Sequence, residues 1–149
     1  MKQCKFAMLG VLKTSLLVTL ILGLFSACAT QQVSLYEQIG GETKVAQISD
    51  YFIEEIQYDR RILSFFLDSD IDRFREKLSE HICVHIGGPC SYTGDDMVKV
   101  HTGMNITEAD FNRVVELLIN AMNRAEVPHR LQNQVLARFA PMRGDMIYR

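Results

Sequence analysis

A single histidine lies in the stretch Met97-Val98-Lys99-Val100-His101-Thr102-Gly103-Met104-Asn105-Ile106-Thr107-Glu108-Ala109-Asp110-Phe111. This stretch predicts a short helix, a break at Gly103 and a second helix that starts at Thr107, where Asp110 comes close to completing a capping box. His101 is set among apolar residues: Val100 directly precedes it, and Met97 and Met104 lie at helical spacing from it. An imidazole in this setting is either a core residue bonded to a backbone carbonyl or a ligand to an apolar, metal-containing group. The residues alone leave both interpretations open.

Before this stretch the apolar spacing is helical. We expect a short helix at residues 35–39 that stops at Gly40-Gly41, followed by a long helix. The apolar face of that long helix is Val45, Ile48, Phe52 and Ile56. Two further helical segments are expected at residues 60–66 and 74–86, and Gly87-Gly88-Pro89 ends the second.

After the histidine-bearing helix, expected at residues 95–102, the pattern predicts a helix from Thr107 to Met122 and a last helix starting at Pro128. The inward residues of the last helix are Leu131, Val135, Leu136, Phe139 and Met142. The sequence shows no alternating strand pattern, no hairpin signal and no internal repeat. The predicted fold class is therefore all-α, with helices that cross rather than follow a heptad.

Residues 1–27 predict a secretory signal peptide, with Lys2 and Lys5 before an apolar run that ends at Phe25. Ser26-Ala27-Cys28 then resembles a bacterial lipobox, although Phe25 stands where Leu is usual. This resemblance implies cleavage before Cys28, lipidation of Cys28, and a location outside the cytoplasm, on the periplasmic side of a bacterial outer membrane. The alternative is an uncleaved membrane anchor, but the run is short for a span of roughly 20 residues.

Residues 28–33 form the expected lipidated tether, and residues 34–149 are about the size of one domain. The full chain has a formal charge of −2. Loss of residues 1–27 removes three lysines and no acidic residue, so the mature chain carries −5. With this charge and no basic patch, nucleic acid is excluded as a partner.

Cys83 and Cys90 are the two cysteines of the expected domain. An oxidising compartment permits a disulfide between them. However, Cys83 falls in a predicted helix and Cys90 lies beyond the Gly-Gly-Pro break, so we expect two separate thiols. The sequence contains no Cys-x-x-Cys-His, which excludes haem attachment of the cytochrome c type.

The other histidines and the acidic loop give weaker metal signals. His81 and His85 lie one turn apart and could chelate a metal, but no third ligand is near in sequence, so a partly exposed helix edge is expected. His129 is expected to be exposed at a helix start. The alternating Asp68, Asp70 and Asp72 resemble a calcium loop, but the Gly and Glu of that motif are misplaced.

Several short motifs, in their order and spacing, resemble those of the group I truncated haemoglobins. They are Leu35-Tyr36-Glu37-Gln38-Ile39-Gly40-Gly41, Phe65-Phe66, Ile86-Gly87-Gly88-Pro89, Tyr92-Thr93-Gly94, Val100-His101, Met104-Asn105-Ile106-Thr107 and Phe111. The resemblance covers residues 34–147 and implies a truncated globin domain at 34–149, folded as a two-over-two helical sandwich. It also implies one haem b, with His101 as the proximal iron ligand.

The same resemblance implies an apolar haem cleft, with Phe66 packed on the face opposite His101. The other expected lining residues are Phe52, Val100, Met104, Phe111, Val115 and Leu118. On the far side, relatives commonly carry Tyr, Gln, and Gln or Thr, where this sequence has Ile53, Phe74 and Leu78. Because these replacements remove hydrogen-bond donors worth roughly 1.5–3 kcal/mol to bound O₂, we expect weak retention of O₂ and easier oxidation. CO and NO are expected to be penalised less.

Lys77 falls beside this pocket. It either reaches a haem propionate or solvent, or serves as a sixth iron ligand, as His or Lys does at this place in some relatives. Asp95 stands where relatives often have Arg, so a propionate contact is expected to be missing there.

Three functions remain open from the sequence. The first is a membrane-tethered haem protein that binds a diatomic gas (O₂, NO or CO) as a scavenger or sensor. The second is a lipid-anchored electron-transfer protein with a six-coordinate haem and an unknown electron donor. The third is a haem-free globin fold that serves as an interaction module. Catalysis such as NO dioxygenation would need bound O₂ and an electron source, and the apolar pocket weakens that prediction.

Overall fold

The computed structural model describes residues 33–149. This range is helical and contains no strand, which confirms the all-α prediction. The α-helices are α1 (Leu35–Ile39), α2 (Gly41–Tyr58), α3 (Arg60–Leu63), α4 (Ile71–His85), α5 (Met97–His101), α6 (Glu108–Arg124), α7 (His129–Phe139) and α8 (Arg143–Met146), with 3₁₀ turns at Ser64–Phe66 and Ala140–Met142. The predicted signal peptide and Cys28 lie outside the described residues. In residues 33–149, no helix is both long and apolar enough to cross a membrane.

The first two helices are separated by Gly40, whose left-handed backbone conformation favours glycine. Ser34 and Glu37 form a capping box at the start of α1, which supplies partners for backbone N–H groups that would otherwise lack them. Gly40 then adopts a φ of 115° and ends α1, a conformation that residues with a Cβ rarely adopt. The chain can therefore turn at once into α2, as the Gly-Gly pair predicts.

The long helix α2 lies at the centre of the domain and packs against both α6 and α4. Its predicted apolar face is buried, which agrees with the three-and-four spacing of those residues. Burial divides the core into two clusters. The larger consists of Leu35, Ile39, Val45, Ile48, Ile82, Ile86, Met122, Ala125, Val127, Leu131 and Val135. The smaller, which we call the cleft cluster, consists of Phe52, Ile56, Ile62, Leu117 and Ala121.

Aspartate side chains cap the starts of three helices. Asp59 accepts hydrogen bonds from the backbone N–H groups of Arg61 and Ile62 at the start of α3. Asp70 accepts from the N–H of Arg73, so α4 begins at Ile71, three residues before the predicted start. Asp96 accepts from the N–H of Lys99, and α5 therefore begins at Met97 rather than at residue 95.

Cys83 and Cys90 form a disulfide with a Cα–Cα distance of 6.0 Å. The prediction of two separate thiols is therefore wrong. The reason is that the Gly-Gly-Pro break does not lead the chain away but folds it back, as the bond from the Gly88 N–H to the Cys83 carbonyl (2.8 Å) indicates. A Cβ at residue 88 would collide with the Cys83 sulfur and the ring of Tyr36, so glycine is needed there for close packing.

The C-terminal region departs from the single last helix that the sequence predicts. Pro128 is the N-cap of α7 and lies just outside the helix. The α-helix ends at Phe139, a 3₁₀ turn continues to Met142, and α8 follows at Arg143–Met146. This short final helix packs against α5, so the C-terminus of the chain supports the helix that carries His101.

Candidate functional site

The helix α5 presents His101 from a short element whose five residues are all at least partly exposed. Besides the Asp96 cap, the Nζ of Lys99 lies 2.6 Å from a carboxylate oxygen of Asp95. Both acidic residues lie at the positive end of the helix dipole, which favours negative charge. Beyond α5, the backbone N–H of Asn105 donates to the carbonyl of Arg149 (3.0 Å). The helix is thus held at its two ends rather than by a buried face.

The imidazole of His101 is oriented by its own helix. Its Nδ1 lies 2.7 Å from the carbonyl oxygen of Met97. Because a carbonyl can only accept, Nδ1 must carry the proton in this hydrogen bond, which leaves the lone pair of Nε2 free in the neutral ring. This is the tautomer and the type of orienting bond that metal-ligating histidines use.

An apolar stripe on α6 is left half-buried beside the fully packed core. Leu117 and Ala121 point into the core and are 1% and 0% exposed, whereas Phe111, Val115 and Leu118 lie on the adjacent face and are half-buried. Their spacing of four and three residues places these three side chains in one row. Covering such a row with an apolar ligand would add hydrophobic stabilisation of about 25 cal/mol per Å².

A second stripe runs along α4, again at spacings of three and four. Its members are Phe74, Leu78, His81 and His85. Phe74 and Leu78 pack against the cleft cluster together with Phe66 and Leu118. The rings of Phe66 and Phe74 lie 4.8 Å apart between centroids. Five of the predicted lining residues, from four separate elements, therefore meet at the cleft cluster: Phe52, Phe66, Phe74, Leu78 and Leu118.

Two of the three far-side positions line one small cavity. Ile53, Phe66 and Phe74 line a cavity of about 220 Å³ between α2 and α4, in which the polar side chains are Gln57 and Ser69. Leu78 lies one turn beyond Phe74 along the same stripe. Among the other predicted lining residues, Met104 is half-buried and Val100 is 46% exposed.

A family model described as bacterial-like globin matches residues 34–148. The chain belongs to the bacterial-like globin family. The group 1 truncated hemoglobin GlbN of Mycolicibacterium paratuberculosis is 30% identical over 116 residues, which cover 78% of this chain and 85% of the relative. A second relative, the group 1 truncated hemoglobin GlbN of Synechocystis sp., is 31% identical over 108 residues, which cover 70% of this chain and 87% of that relative.

Solved structures show the same architecture. The truncated hemoglobin of Tetrahymena pyriformis in its Fe(III) form superposes with a TM-score of 0.76 at 26% identity, covering 78% of this globin and all of that chain. The 2/2 hemoglobin of a Synechococcus gives a TM-score of 0.73 at 23% identity, which bears on the fold alone. The predicted membership of group I and the two-over-two fold are both confirmed.

The residues of this globin suit a haem. His101 offers one oriented nitrogen with a free lone pair, and the half-buried stripes of α4 and α6 offer apolar walls for a flat, largely apolar ring. Within residues 33–149, no three His, Cys, Asp or Glu side chains converge as ligands for a bare metal ion. The single oriented nitrogen of His101 and the apolar stripes fit a metal that is held mainly by a porphyrin.

The side chain of Lys77 is 17% exposed, and neighbouring polar groups bind its ammonium group. Its Nζ contacts the carboxylates of Glu76 (2.6 Å) and Glu80 (3.1 Å) and the hydroxyl of Thr93. The hydrogen bond to Glu76 and the charge of both carboxylates raise the pKa of Lys77, because they favour the ammonium form. In this arrangement Lys77 is a cation bound by carboxylates.

His81 is the site residue that the sequence reasoning missed. It was expected on a partly exposed helix edge, yet it is only 8% exposed, and its ring lies against those of His85 (4.4 Å), Tyr92 (5.0 Å) and Phe139 (5.6 Å). Burial, with smaller effects of the charges on His85 and His101, lowers the pKa of His81 to about 4. The signal was present in the spacing, because His81 continues the stripe of Phe74 and Leu78.

Proposed function

We propose that this globin binds one haem b through His101 and takes up a diatomic gas, O₂, NO or CO, on the opposite side of the haem. The observation that carries the proposal is the orientation of His101, whose Nδ1 is bonded to its own helix and whose Nε2 is free. The bound haem would supply the coordination position for the gas. The protein would supply the axial imidazole, the apolar walls and the exclusion of water.

The residues on the far side favour gases that need no hydrogen bond. Ile53, Phe74 and Leu78 carry no donor, so these three positions would offer no hydrogen bond to the partial charge on bound O₂. CO and NO depend less on such a donor. We therefore propose weak retention of O₂ and a haem that oxidises readily in air.

Lys77 decides between gas binding and a six-coordinate electron-transfer haem. An amine must lose its proton before it can bind iron. The contacts of Lys77 with Glu76, Glu80 and Thr93 favour the charged form and hold its ammonium group on these partners. These contacts support a haem whose sixth position is left for the gas.

The proposal extends to location. We propose that a lipid on Cys28 tethers the globin outside the cytoplasm, on the periplasmic side of a bacterial outer membrane. The support is the order of basic, apolar and small residues before Cys28 in the sequence.

An absorption spectrum of the purified protein, ferric and then ferrous with CO, tests this function. We expect a Soret band that shifts on addition of CO, and a ferric spectrum without the low-spin bands of a nitrogenous sixth ligand. A low-spin ferric spectrum that becomes high-spin in Lys77→Ala would instead establish the electron-transfer alternative. Absence of a Soret band from protein that has been incubated with haem and then separated from unbound haem would leave only the haem-free interaction module.

A further inference from the structure

The segment between α4 and α5, residues 86–96, leads directly into the helix of His101, and the structure fastens it to α4 at two points. The first is the Cys83–Cys90 disulfide, which joins the last turn of α4 to the far side of the Gly87-Gly88-Pro89 turn. The hydrogen bond from the Gly88 N–H to the carbonyl of Cys83 closes the same turn. The course of the chain from Cys83 to Cys90 is thereby fixed by a covalent bond.

The second fastening is the carboxylate of Glu80. It accepts a hydrogen bond from the backbone N–H of Thr93 (2.9 Å) and another from its hydroxyl (2.9 Å). Lys77 holds the other oxygen of this carboxylate at 3.1 Å. The hydrogen bond from the Thr93 backbone lowers the pKa of Glu80, as expected for a carboxylate whose charged form is bonded.

Between Thr93 and His101, a series of local hydrogen bonds holds the chain. The hydroxyl of Tyr92 donates to the carbonyl of Asp95 (2.8 Å), and Asp96 caps α5. His101 then bonds to the carbonyl of Met97. Because none of the five described residues of α5 is fully buried, the orientation of this helix depends on the segments that flank it more than on core packing.

We propose that the Cys83–Cys90 disulfide and the Glu80–Thr93 hydrogen bonds form a clamp that positions His101 for the haem iron, so that reduction of the disulfide weakens retention of the haem. The inference rests on the proposed function of His101. The reductant is a dithiol, which transfers two electrons and two protons to the disulfide. Cys83 and Cys90 then become thiols, and the dithiol becomes its own disulfide. Residues 86–96 then keep only non-covalent contacts, of which the hydrogen bonds of Thr93 with Glu80 lie nearest to α5.

Haem transfer from the ferric protein to an excess of apomyoglobin measures retention. Three samples are compared: the oxidised wild type, the wild type after dithiol treatment and desalting with its free thiols counted, and the Cys83→Ser/Cys90→Ser variant. We expect haem loss about tenfold faster in the second and third samples, since loss of partners that orient a metal ligand commonly costs 10–100-fold. Dithiol treatment of the double variant controls for effects of the reagent on the haem, and circular dichroism confirms that each sample is folded.

Equal rates of haem loss with and without the disulfide would overturn the clamp while leaving the proposed function intact. A wild-type chain that binds no haem would contradict both. The two results are therefore distinguishable in one set of samples.

Resonance Raman spectroscopy of the photolysed CO adduct tests the role of Glu80, because the Fe–His stretch then reports on His101 with no protein ligand opposite it. We expect Glu80→Ala to shift or broaden this band and Glu80→Gln to restore it, since an amide oxygen can still accept from the Thr93 N–H. Glu76→Ala is the matched control, because Glu76 contacts Lys77 and is exposed. An unchanged band in Glu80→Ala would contradict the positioning role.

Discussion

His101 illustrates how one backbone contact can prepare a side chain for a metal. Its Nδ1 proton is committed to the carbonyl of Met97, so the ring is held in one tautomer and one orientation before any ligand arrives. An imidazole free to rotate would lose conformational entropy on binding. At the scale of the residue, the imidazole is therefore preorganised for the iron that we propose it binds.

The far side of the proposed haem pocket can be tested by introducing a hydrogen-bond donor at residue 53. Ile53→Tyr places a phenol hydroxyl at the position where relatives commonly carry tyrosine, beside the cavity that Ile53 shares with Phe66 and Phe74. We expect dissociation of O₂ to slow by about tenfold to a hundredfold, because a hydrogen bond to a partly charged ligand is worth roughly 1.5–3 kcal/mol. Stopped-flow or flash-photolysis kinetics measure this rate.

Ile53→Phe is the control for the change in size, since it adds a ring without a hydroxyl. It should leave O₂ dissociation close to the wild-type rate. If Ile53→Phe and Ile53→Tyr slow dissociation equally, steric trapping rather than a hydrogen bond controls retention, and the account of the far side is wrong.

Burial of His81 predicts a loss of stability in mild acid. The unfolded chain binds a proton at His81 below about pH 6.5, whereas the folded protein does so only near its lowered pKa of about 4. Stability should therefore fall as the pH drops from 6.5 to 4, by roughly 1–3 kcal/mol from this group. His81→Phe removes the proton site and keeps an aromatic ring against Phe139, so its stability should change less over this window.

Urea unfolding at pH 7 and pH 5, on proteins with the same haem loading, measures the effect. His129→Phe is the matched control, because His129 is exposed at the start of α7 and should leave the pH dependence unchanged. An identical pH dependence in His81→Phe and the wild type would show that burial of His81 carries no such penalty.

At the scale of the element, side-chain caps set where the helices begin. In α6, Thr107 and Asp110 form a complete capping box, and Asp110 also pairs with Arg61 of α3. The hydroxyl of Thr107 and the Arg61 guanidinium lower the pKa of Asp110 to about 2, so the cap stays charged in all but strong acid. Phe111, the first residue of the half-buried stripe, follows this cap directly. The cap therefore also helps to fix the position of Phe111.

Removal of this cap should be measurable without disturbing the core. Thr107→Ala deletes the acceptor for the Asp110 N–H, and we expect a loss of about 1 kcal/mol in the free energy of unfolding. Thr43→Ala, an exposed position in the first turn of α2, makes the same chemical change at a residue that is not the N-cap and should be neutral or slightly stabilising. The midpoint of urea unfolding compares the two, and an equal loss in both would contradict the capping role.

The sequence predicts the existence and order of the helices better than their ends. Apolar spacing and the Gly-Gly breaks identified α1, α2, α4 and α6, because those signals act within a few residues. The early start of α4 depends on a single carboxylate, that of Asp70. The short α8 depends on packing against α5. Because α8 has only four residues, its sequence is too short to show a helical periodicity.

At the scale of the molecule, ionic contacts join α6 to the helices around the cleft cluster. Arg113 pairs with Asp59 between α2 and α3, and Arg124 pairs with Glu54 and Glu55 of α2. The ring of Tyr51 lies 4.3 Å below the guanidinium carbon of Arg124, a cation–π contact. These contacts lie around the apolar interface between α2 and α6 and favour one alignment of the two helices.

The predicted tether has its own test at this scale. Cys28→Ser removes the thiol to which a lipid would be attached, so the globin should move from the membrane fraction to the soluble extracytoplasmic fraction of a producing bacterium. Cys4→Ser, inside the predicted signal peptide, is the control and should leave fractionation unchanged. Retention of Cys28→Ser in the membrane would favour the uncleaved anchor.

Long-range features explain most of what the sequence did not predict. The disulfide depends on the fold-back at Gly88, and the burial of His81 depends on Phe139, which lies 58 positions later in the chain. By contrast, His101 and its apolar neighbours lie close together in the sequence. They also belong to motifs whose order resembles that of the family. The candidate ligand was therefore predictable, whereas the clamp that leads to it was not.

Haem titration of His101→Gly, with and without added imidazole, tests the central claim most directly. The wild type should bind one equivalent of haem with a Soret band, His101→Gly should lose most of that affinity, and imidazole should restore the band by entering the vacated space. His129→Gly is the control and should bind haem as the wild type does. Undiminished, imidazole-independent haem binding by His101→Gly would contradict the assignment of His101 as the iron ligand.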